Sequence, residues 1–186
     1  KAGTFSVWGL GMKDFTGIDA KTNPNDWETI AYKQTMNIYY TLGALGLNHK
    51  IQVNEKSYIK STLATTSNRI EIGVDLIDQN ANFTKDSNIK NTTTNILLSS
   101  YINTKFSPKN INKTGFTFTN MRYNFLMDKN QINIVNNTGN TFLMNTYTNT
   151  TYNINNSFNL NIGINSQYFT LNEKYTVEPR FGIKYN

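Results

Sequence analysis

The last quarter of the chain, residues 158–185, alternates apolar and polar side chains almost without error, and this pattern restricts the folds open to the chain. From Phe158 to Tyr168 the even positions are apolar or aromatic except Ser166, while the odd positions are Asn, Gln or Gly. A period of two is that of a β-strand with two unlike faces. The alternation resumes from Tyr175 to Tyr185 after a short break, which predicts a β-hairpin.

Two environments fit a strand with unlike faces. A soluble sheet buries its apolar face against another sheet, whereas an outer-membrane barrel turns that face to lipid and its polar face to a lumen. Ten positions separate Phe158 from Tyr168 and Tyr175 from Tyr185, which is about 33 Å of strand at about 3.3 Å per residue. A tilt of about 45° reduces this span to about 24 Å, close to the roughly 25 Å apolar band of such barrels. We therefore expect these four residues to be interfacial aromatics at the two margins of a membrane.

The alternation also predicts which side chains lie on each face of the hairpin. Because neighbouring residues of a strand point to opposite sides, assigning one set assigns the other. We expect the lipid-facing set to be Leu160, Ile162, Ile164, Val177, Phe181 and Ile183. We expect the lumen-facing set to be Asn159, Asn161, Asn165, Gln167, Glu178, Arg180 and Lys184. Glu178 and Arg180 are either part of a charge ladder in the lumen or an ordinary solvated pair.

The composition argues against a large buried core. Only 38% of the 186 residues are hydrophobic, aromatic residues make up 13%, and Asn occupies roughly one position in six. This polar bias is too strong for a two-sheet core, yet Tyr, Phe and Thr favour strands, and a barrel with a wet interior needs no such core. The chain has no Cys, which excludes disulfides and thiolate metal sites. No apolar run approaches the roughly 18 residues of a membrane helix.

The net charge of +6 comes from cations that are scattered singly along the sequence. The nearest groups straddle two expected turns, where long side chains can snorkel at a membrane rim. We interpret them as rim or solvated charges and expect no nucleic-acid partner. The two groups are Lys50, Lys56 and Lys60, and Lys105, Lys109 and Lys113.

Catalytic and metal-binding residues are sparse. Nucleophile–base catalysis and metal ligation need clustered His, Cys or carboxylates, and the one His, His49, lies in an expected strand. We interpret it as structural or as part of the lumen wall. The segment 78–82 copies the start of an EF-hand loop, but Phe83 replaces the required Gly and Ile89 the required Glu. We expect the chain not to be an enzyme and to use no metal or cofactor.

Taken in order, the chain predicts an all-β fold of about eight long strands in an antiparallel up-and-down meander. Long polar connections are expected at 13–28, 78–88 and 128–140 with short turns between, an asymmetry typical of outer-membrane barrels. The third strand changes its alternation between Thr65 and Ile70, and the fifth near Thr119, which predicts a β-bulge in each. We expect ligand contacts from the long connections, around Trp27, Asn80 and Asn136.

Several segments resemble the barrel of TonB-dependent outer-membrane receptors. The most specific part is Tyr-Phe-Thr-Leu-Asn at 168–172 followed by Glu-Pro-Arg at 178–180. The resembling segments are 3–9, 46–50 with 57–61, 103–107 with 114–116, and 167–172 with 177–184.

The resemblance implies a large barrel, closed by an N-terminal plug, that takes up a scarce nutrient such as an iron chelate, a glycan or a peptide across the outer membrane of a Gram-negative bacterium. The sequence shows neither the plug nor its coupling segment. We therefore expect residues 1–186 to be a single partial barrel domain. Its expected partners are outer-membrane lipid, the rest of the barrel and its plug, an inner-membrane energy-coupling protein that acts through the plug, and a small nutrient ligand.

Two other architectures stay open at this point. A complete eight-stranded outer-membrane barrel with a structural or adhesive role would have an interior filled by side chains, since eight strands is the smallest number that closes. A soluble β-sandwich binding module would bury its apolar faces between two sheets.

Overall fold

The computed structural model describes residues 2–155 and 157–185. Eight strands account for most of these residues, and two short 3-10 turns, Pro24–Asp26 and Ile30–Lys33, lie between the first two strands. No helix in this part of the chain has the length and apolarity needed to cross a membrane. The strands are β1 (Thr4–Ile18), β2 (Gln34–Asn54), β3 (Ser57–Ile77), β4 (Phe83–Ser107), β5 (Asn110–Lys129), β6 (Ile132–Asn153), β7 (Phe158–Phe169) and β8 (Lys174–Tyr185).

All eight strands belong to one antiparallel sheet, in which their spatial order is their sequence order. The prediction of an eight-stranded up-and-down meander is therefore confirmed. Among the described residues β1 and β8 each pair with one neighbour only, so the sheet is open. A β-sandwich needs two packed sheets, and that alternative is wrong.

Most connections are shorter than the sequence predicts. The expected loop 78–88 contains the start of β4, so that 78–82 alone separates β3 from β4. The expected loop 128–140 contains the end of β5 and the start of β6, which leaves the two-residue turn 130–131. The segment 19–33 between β1 and β2 is long. The predicted alternation of long and short connections is therefore wrong.

Polar residues lengthen the strands at the β5–β6 hairpin. Asn130 and Gln131 have φ angles of 49° and 63°, as a two-residue hairpin turn requires at both central positions. Across the hairpin, Asn133 Nδ2 donates to Asp128 Oδ1 over 2.9 Å. Because such side chains bond between strands, a polar stretch need not be a loop.

The strand register is continuous where the sequence predicts bulges. From Thr65 to Ile70 the pairing of β3 with both neighbours advances one residue at a time, and so does the pairing of β5 around Thr119. Both predicted bulges are therefore wrong. At these places the backbone pairing is unchanged, but the apolar side chains move from one face of the sheet to the other.

The sheet has two faces, and we divide each face into a lower and an upper half. Directly paired residues of adjacent strands point to the same side, so the register assigns each strand residue to a face. We call the side that carries Phe181 the first face and the side that carries Gly182 the second face. The lower half lies next to the turn 55–56, and the upper half next to 78–82. Their boundary is the cross-strand row Gly9, Leu45, Thr65, Ile96, Asn120 and Phe142.

The apolar side chains change face at this boundary row. In the lower half most of them lie on the first face, as the paired residues Leu63 and Leu98 do. In the upper half they lie on the second face, so each long strand carries two amphipathic stretches of opposite sense. The apolar residues of the upper second face include Ile38, Leu42, Ile70, Ile72, Val74, Ile89, Met121, Phe125 and Met127.

Apolar burial in this sheet is slight. Among the described residues the buried apolar side chains are Val74 (8% exposed) and Ile77 (4%), both at the upper end of β3. On the lower first face, by contrast, Leu63 is 52% exposed and Phe181 is 70% exposed. A contiguous apolar surface this open needs cover from lipid or from protein.

The continuous register predicts which cysteine pairs form disulfides. Ser67 pairs with Thr94, and Asn68 with Thr93. In an antiparallel sheet one of two adjacent residue pairs is a non-hydrogen-bonded pair, in which the side chains lie closer together. Because the chain has no Cys, we expect S67C/T94C or N68C/T93C to crosslink efficiently on non-reducing electrophoresis. The offset variant N68C/T94C should not crosslink. A bulge in β3 would bring that offset pair together and separate the other two.

Candidate functional site

The first face of the lower half carries no charged residue in the described strands. Every Asp, Glu, Lys and Arg of the lower half belongs to the second face or to a turn. We call this surface the charge-free face. The residues predicted from the sequence to face lipid all lie on it: Leu160, Ile162, Ile164, Val177, Phe181 and Ile183.

The polar side chains of the charge-free face bond to one another. The hydroxyls of Ser61 and Ser100 lie 2.9 Å apart, and those of Thr114 and Thr148 lie 2.8 Å apart. Asn112 donates to the Thr148 hydroxyl over 3.1 Å. Since hydroxyls and amides are costly in an apolar medium chiefly when unpaired, these groups are compatible with such a medium.

Aromatic side chains pair at both margins of the charge-free face. Tyr168 lies directly opposite Tyr175, and Phe158 directly opposite Tyr185. The second pair meets edge to face with 6.4 Å between ring centroids. The four aromatics singled out in the sequence therefore form two cross-strand pairs, one at each end of the β7–β8 hairpin.

The second face of the lower half is polar, and amide side chains bridge its strands. Asn165 is 4% exposed; it accepts from Asn145 over 2.9 Å and donates to Glu178 over 3.4 Å. Thr151 donates to Asn161 over 2.6 Å. The residues predicted to face a lumen all lie on this face: Asn159, Asn161, Asn165, Gln167, Glu178, Arg180 and Lys184.

The charged pair of β8 is exposed to solvent. Arg180 Nη2 lies 3.2 Å from Glu178 Oε2, and the two side chains are 64% and 51% exposed. Of the two interpretations left open by the sequence, this geometry favours the solvated pair. Exposed ion pairs of this kind contribute at most about 1 kcal/mol to stability.

Most of the lysines near the short turns point to the second face. The interpretation of these lysines as rim or solvated charges stays a prediction, and the register adds that four of them share one face. Lys56 and Lys109 lie in the turns themselves. The second-face lysines are Lys50, Lys60, Lys105 and Lys113.

His49 lies on the charge-free face, where it pairs directly with Phe5. The two rings stack with 4.3 Å between centroids, and His49 Nε2 lies 2.9 Å from the carbonyl oxygen of Ala2. These contacts favour the structural interpretation. The alternative that His49 lines the polar face is wrong.

The first face becomes charged directly above the boundary row. Glu71 lies 2.6 Å from Arg69 Nη2 and 3.0 Å from Lys90 Nζ. Arg122 Nε donates to Asn120 Oδ1 over 2.8 Å. On this side of the sheet, a polar surface therefore succeeds an apolar one along the same strands.

The three predicted ligand-contact residues lie in different settings. Trp27 follows a 3-10 turn in the long connection, and its indole nitrogen donates to the carbonyl of Lys21 over 2.6 Å. Asn80 lies in the connection 78–82. Asn136 pairs with Leu126 inside β6. Its predicted place in a loop is wrong, because the polar stretch around it continues the strand.

Asp78 caps its own turn. Its carboxylate accepts the backbone N–H groups of Asn80 over 2.8 Å and Asn82 over 2.9 Å. These hydrogen bonds, chiefly those from Asn82, hold the pKa of the Asp78 carboxyl below its ordinary value. Within residues 2–155 and 157–185, no group of three or more His, Cys, Asp or Glu side chains is placed to hold a metal ion.

The lowered pKa of Asp78 predicts how this turn responds to acid. A depressed folded-state pKa contributes stability that is present above the unfolded-state pKa and lost as the pH falls through the folded-state pKa. In an NMR titration we expect the amide signals of Asn80 and Asn82 to shift with a midpoint below that of an ordinary aspartate. Asp78→Asn should remove this titration. A midpoint at or above the ordinary value would contradict the capping role.

No protein-family model matches the chain, and no curated protein matches it. Among solved structures, the chain is similar to the crystal structure of the outer membrane protease OmpT from Escherichia coli, with a TM-score of 0.32 and 9% sequence identity. The alignment covers 97% of this chain and 74% of that chain. A likeness this weak assigns neither a family nor an activity to the chain.

This comparison changes one sequence-based expectation and leaves another untested. The expectation that the chain is not an enzyme is corrected, because the matched structure is that of a protease; we withdraw it without assigning proteolysis in its place. The matched protein is an outer membrane protein, but a likeness with this TM-score adds no support to the predicted outer-membrane barrel. The resemblance to TonB-dependent receptors gains nothing from it and stays a prediction.

Proposed function

We propose that the sheet is a wall of an outer-membrane β-barrel, with the charge-free face against lipid and the second face against an aqueous lumen. The observation that carries this proposal is the partition of charge: in the strands of the lower half, all charged residues lie on the second face, and the exposed large apolar residues, Trp8 excepted, lie on the first. A soluble protein that exposed such a face would associate through it. A bilayer covers it without a second protein layer.

The dimensions of the charge-free face suit a bilayer. Tyr175 and Tyr185 bracket it on β8, about 33 Å apart along the strand, which becomes about 24 Å of height at a tilt of about 45°. The longer strands extend beyond this span, since β4 has 25 residues. Their upper halves would project from the membrane, where Arg69, Glu71 and Lys90 meet water.

The change of face at the boundary row supports this orientation. Lipid requires an apolar outer surface, whereas the part of a barrel beyond the membrane requires a polar one. The first face changes from apolar to charged in that order. The apolar residues of the upper second face, among them the buried Val74, would then point to the barrel interior.

The charges of the lower second face favour a wide, water-filled lumen. The interior of an eight-stranded barrel is filled by side chains, and an unpaired buried ion costs several kcal/mol. Hydration in a wider barrel removes this cost. Glu178 is the single strand carboxylate of this face, against the cations Lys50, Lys60, Lys105, Lys113, Lys174, Arg180 and Lys184.

A complete eight-stranded barrel with a structural or adhesive role is the second candidate. The eight consecutive strands of one sheet favour it, because eight is the smallest number that closes. The free edges of β1 and β8 would then pair with each other, since a bilayer cannot hydrate unpaired backbone groups.

Nutrient uptake is a more specific version of the first candidate function, the wall of an outer-membrane barrel. It rests on the resemblance of segments such as 167–172 and 177–184 to TonB-dependent receptors. It would add a plug, an energy-coupling partner in the inner membrane and a Gram-negative outer membrane as the location. A wide aqueous lumen is the architecture that such transport requires.

Two adjacent residues of β8 test which face meets lipid. Phe181 lies on the charge-free face, whereas a Cβ on Gly182 would lie 3.8 Å from Asn161 Cβ on the second face, an ordinary contact. For Phe181→Lys we expect a loss of about 2 to 4 kcal/mol of unfolding free energy, because the ammonium lies near the bilayer midplane. For Gly182→Lys we expect almost no change. Denaturant titration of the protein in liposomes measures both.

A third variant isolates the effect of charge. Phe181→Leu removes the ring but keeps the position apolar, so its loss should be clearly smaller than that of Phe181→Lys. Equal destabilisation by Phe181→Lys and Gly182→Lys would refute the proposed orientation.

A further inference from the structure

The lower second face concentrates positive charge beside two tyrosine rings. Lys113 Nζ lies 4.1 Å from the centre of the Tyr101 ring and 5.7 Å from that of Tyr147. Gly115 pairs with both tyrosines, and a Cβ there would lie 2.6 Å from Tyr101 Cβ and 2.9 Å from the Tyr147 hydroxyl. The absent side chain therefore leaves space for both rings beside the ammonium group.

These cations lack carboxylate partners. No ion pair among the described residues includes Lys50, Lys60 or Lys113. Lys50 and Lys60 lie directly opposite each other on β2 and β3, an arrangement of like charges that destabilises a sheet. A surface lined by one sign of charge raises the local concentration of ions of the opposite sign.

A depression of about 400 Å³ opens beside Lys113. Lys113 and Arg180 lie at this depression together with the amide side chains of Asn145, Asn149 and Gln167. Guanidinium, ammonium and amide groups all donate hydrogen bonds to carboxylate and phosphate oxygens. The depression therefore combines positive charge with several donors for an oxyanion.

We propose that the lower second face is an anion-binding wall, which draws small carboxylates and phosphates into the lumen in preference to cations of similar size. This inference rests on the proposed function, because it requires the second face to be wet. Lys113, which has no carboxylate partner among the described residues, supplies the attraction together with the other lysines of this face. The charges of Arg180 and Glu178 offset each other in their ion pair, so Arg180 and the neighbouring amides act as hydrogen-bond donors that orient the anion.

Charged thiol reagents test the proposal directly, because the chain has no Cys of its own. Asn149 is exposed and pairs with Lys113. Asn68, also exposed and on the second face, lies eight residues above Lys60 on β3, about 27 Å away and beyond about three Debye lengths at physiological salt. The measurement is the ratio of modification rates by an anionic and a cationic methanethiosulfonate in the membrane-inserted protein.

We expect the anionic-to-cationic rate ratio to be about 10-fold higher for Asn149→Cys than for Asn68→Cys at physiological salt, and to fall as more salt is added. Adding Lys113→Gln to Asn149→Cys should lower the ratio toward that of Asn68→Cys, whereas Lys113→Arg should preserve it. Inorganic phosphate, used as the probe, should slow the anionic reagent at Asn149→Cys only.

The outcomes separate this inference from the proposed function. Equal ratios at the two positions, with both reagents reacting, would overturn the anion-binding wall and leave the barrel intact. If Asn149→Cys reacts with neither charged reagent but does react with a lipid-soluble maleimide, the second face is not wet, and the proposed function fails together with the inference.

Discussion

An antiparallel register that is continuous through the middle of the sheet, with irregularities only near the ends of some strands, couples the two faces of every strand in this protein. Because side chains alternate, a slip of one residue in β3 would move Lys60 onto the charge-free face and Ile59 onto the polar one. A slip of one residue in any neighbouring strand would likewise exchange its charged and apolar side chains between the two faces. The register is thereby specified by the partition of charge, and the hydroxyl and amide pairs of both faces depend on it.

In the proposed orientation, the same register lets one strand pass through two environments. At the boundary row, Asn120 is 6% exposed; it accepts from Arg122 and donates to Asn140 Oδ1 over 2.6 Å. This paired polar group lies where the apolar side chains pass from the first face to the second. In the proposed orientation such a sheet needs no large core of its own, because lipid would cover the lower half and the barrel interior would cover the upper apolar side chains.

The sequence alone predicted the strands and the two faces of the β7–β8 hairpin, because that hairpin lies wholly in the lower half and its alternation is unbroken. It predicted bulges near Thr65 and Thr119 wrongly, since a bulge and a change of environment alter the pattern of one strand in the same way. Only the partner strands distinguish them. The cluster around Lys113 was missed because Lys60 and Arg180, distant in sequence, share its face only through the register.

Cysteine labelling along β3 tests the central claim most directly, with single substitutions at 59–74 and two reagents, one lipid-soluble and one aqueous and impermeant. The account predicts that Ile59→Cys and Leu63→Cys react with the lipid-soluble reagent alone. It predicts that Ser67→Cys and Arg69→Cys, on the same face above the boundary row, react with the aqueous reagent. Lipid-soluble labelling that moved to 70, 72 and 74, or that ignored the alternation altogether, would contradict it.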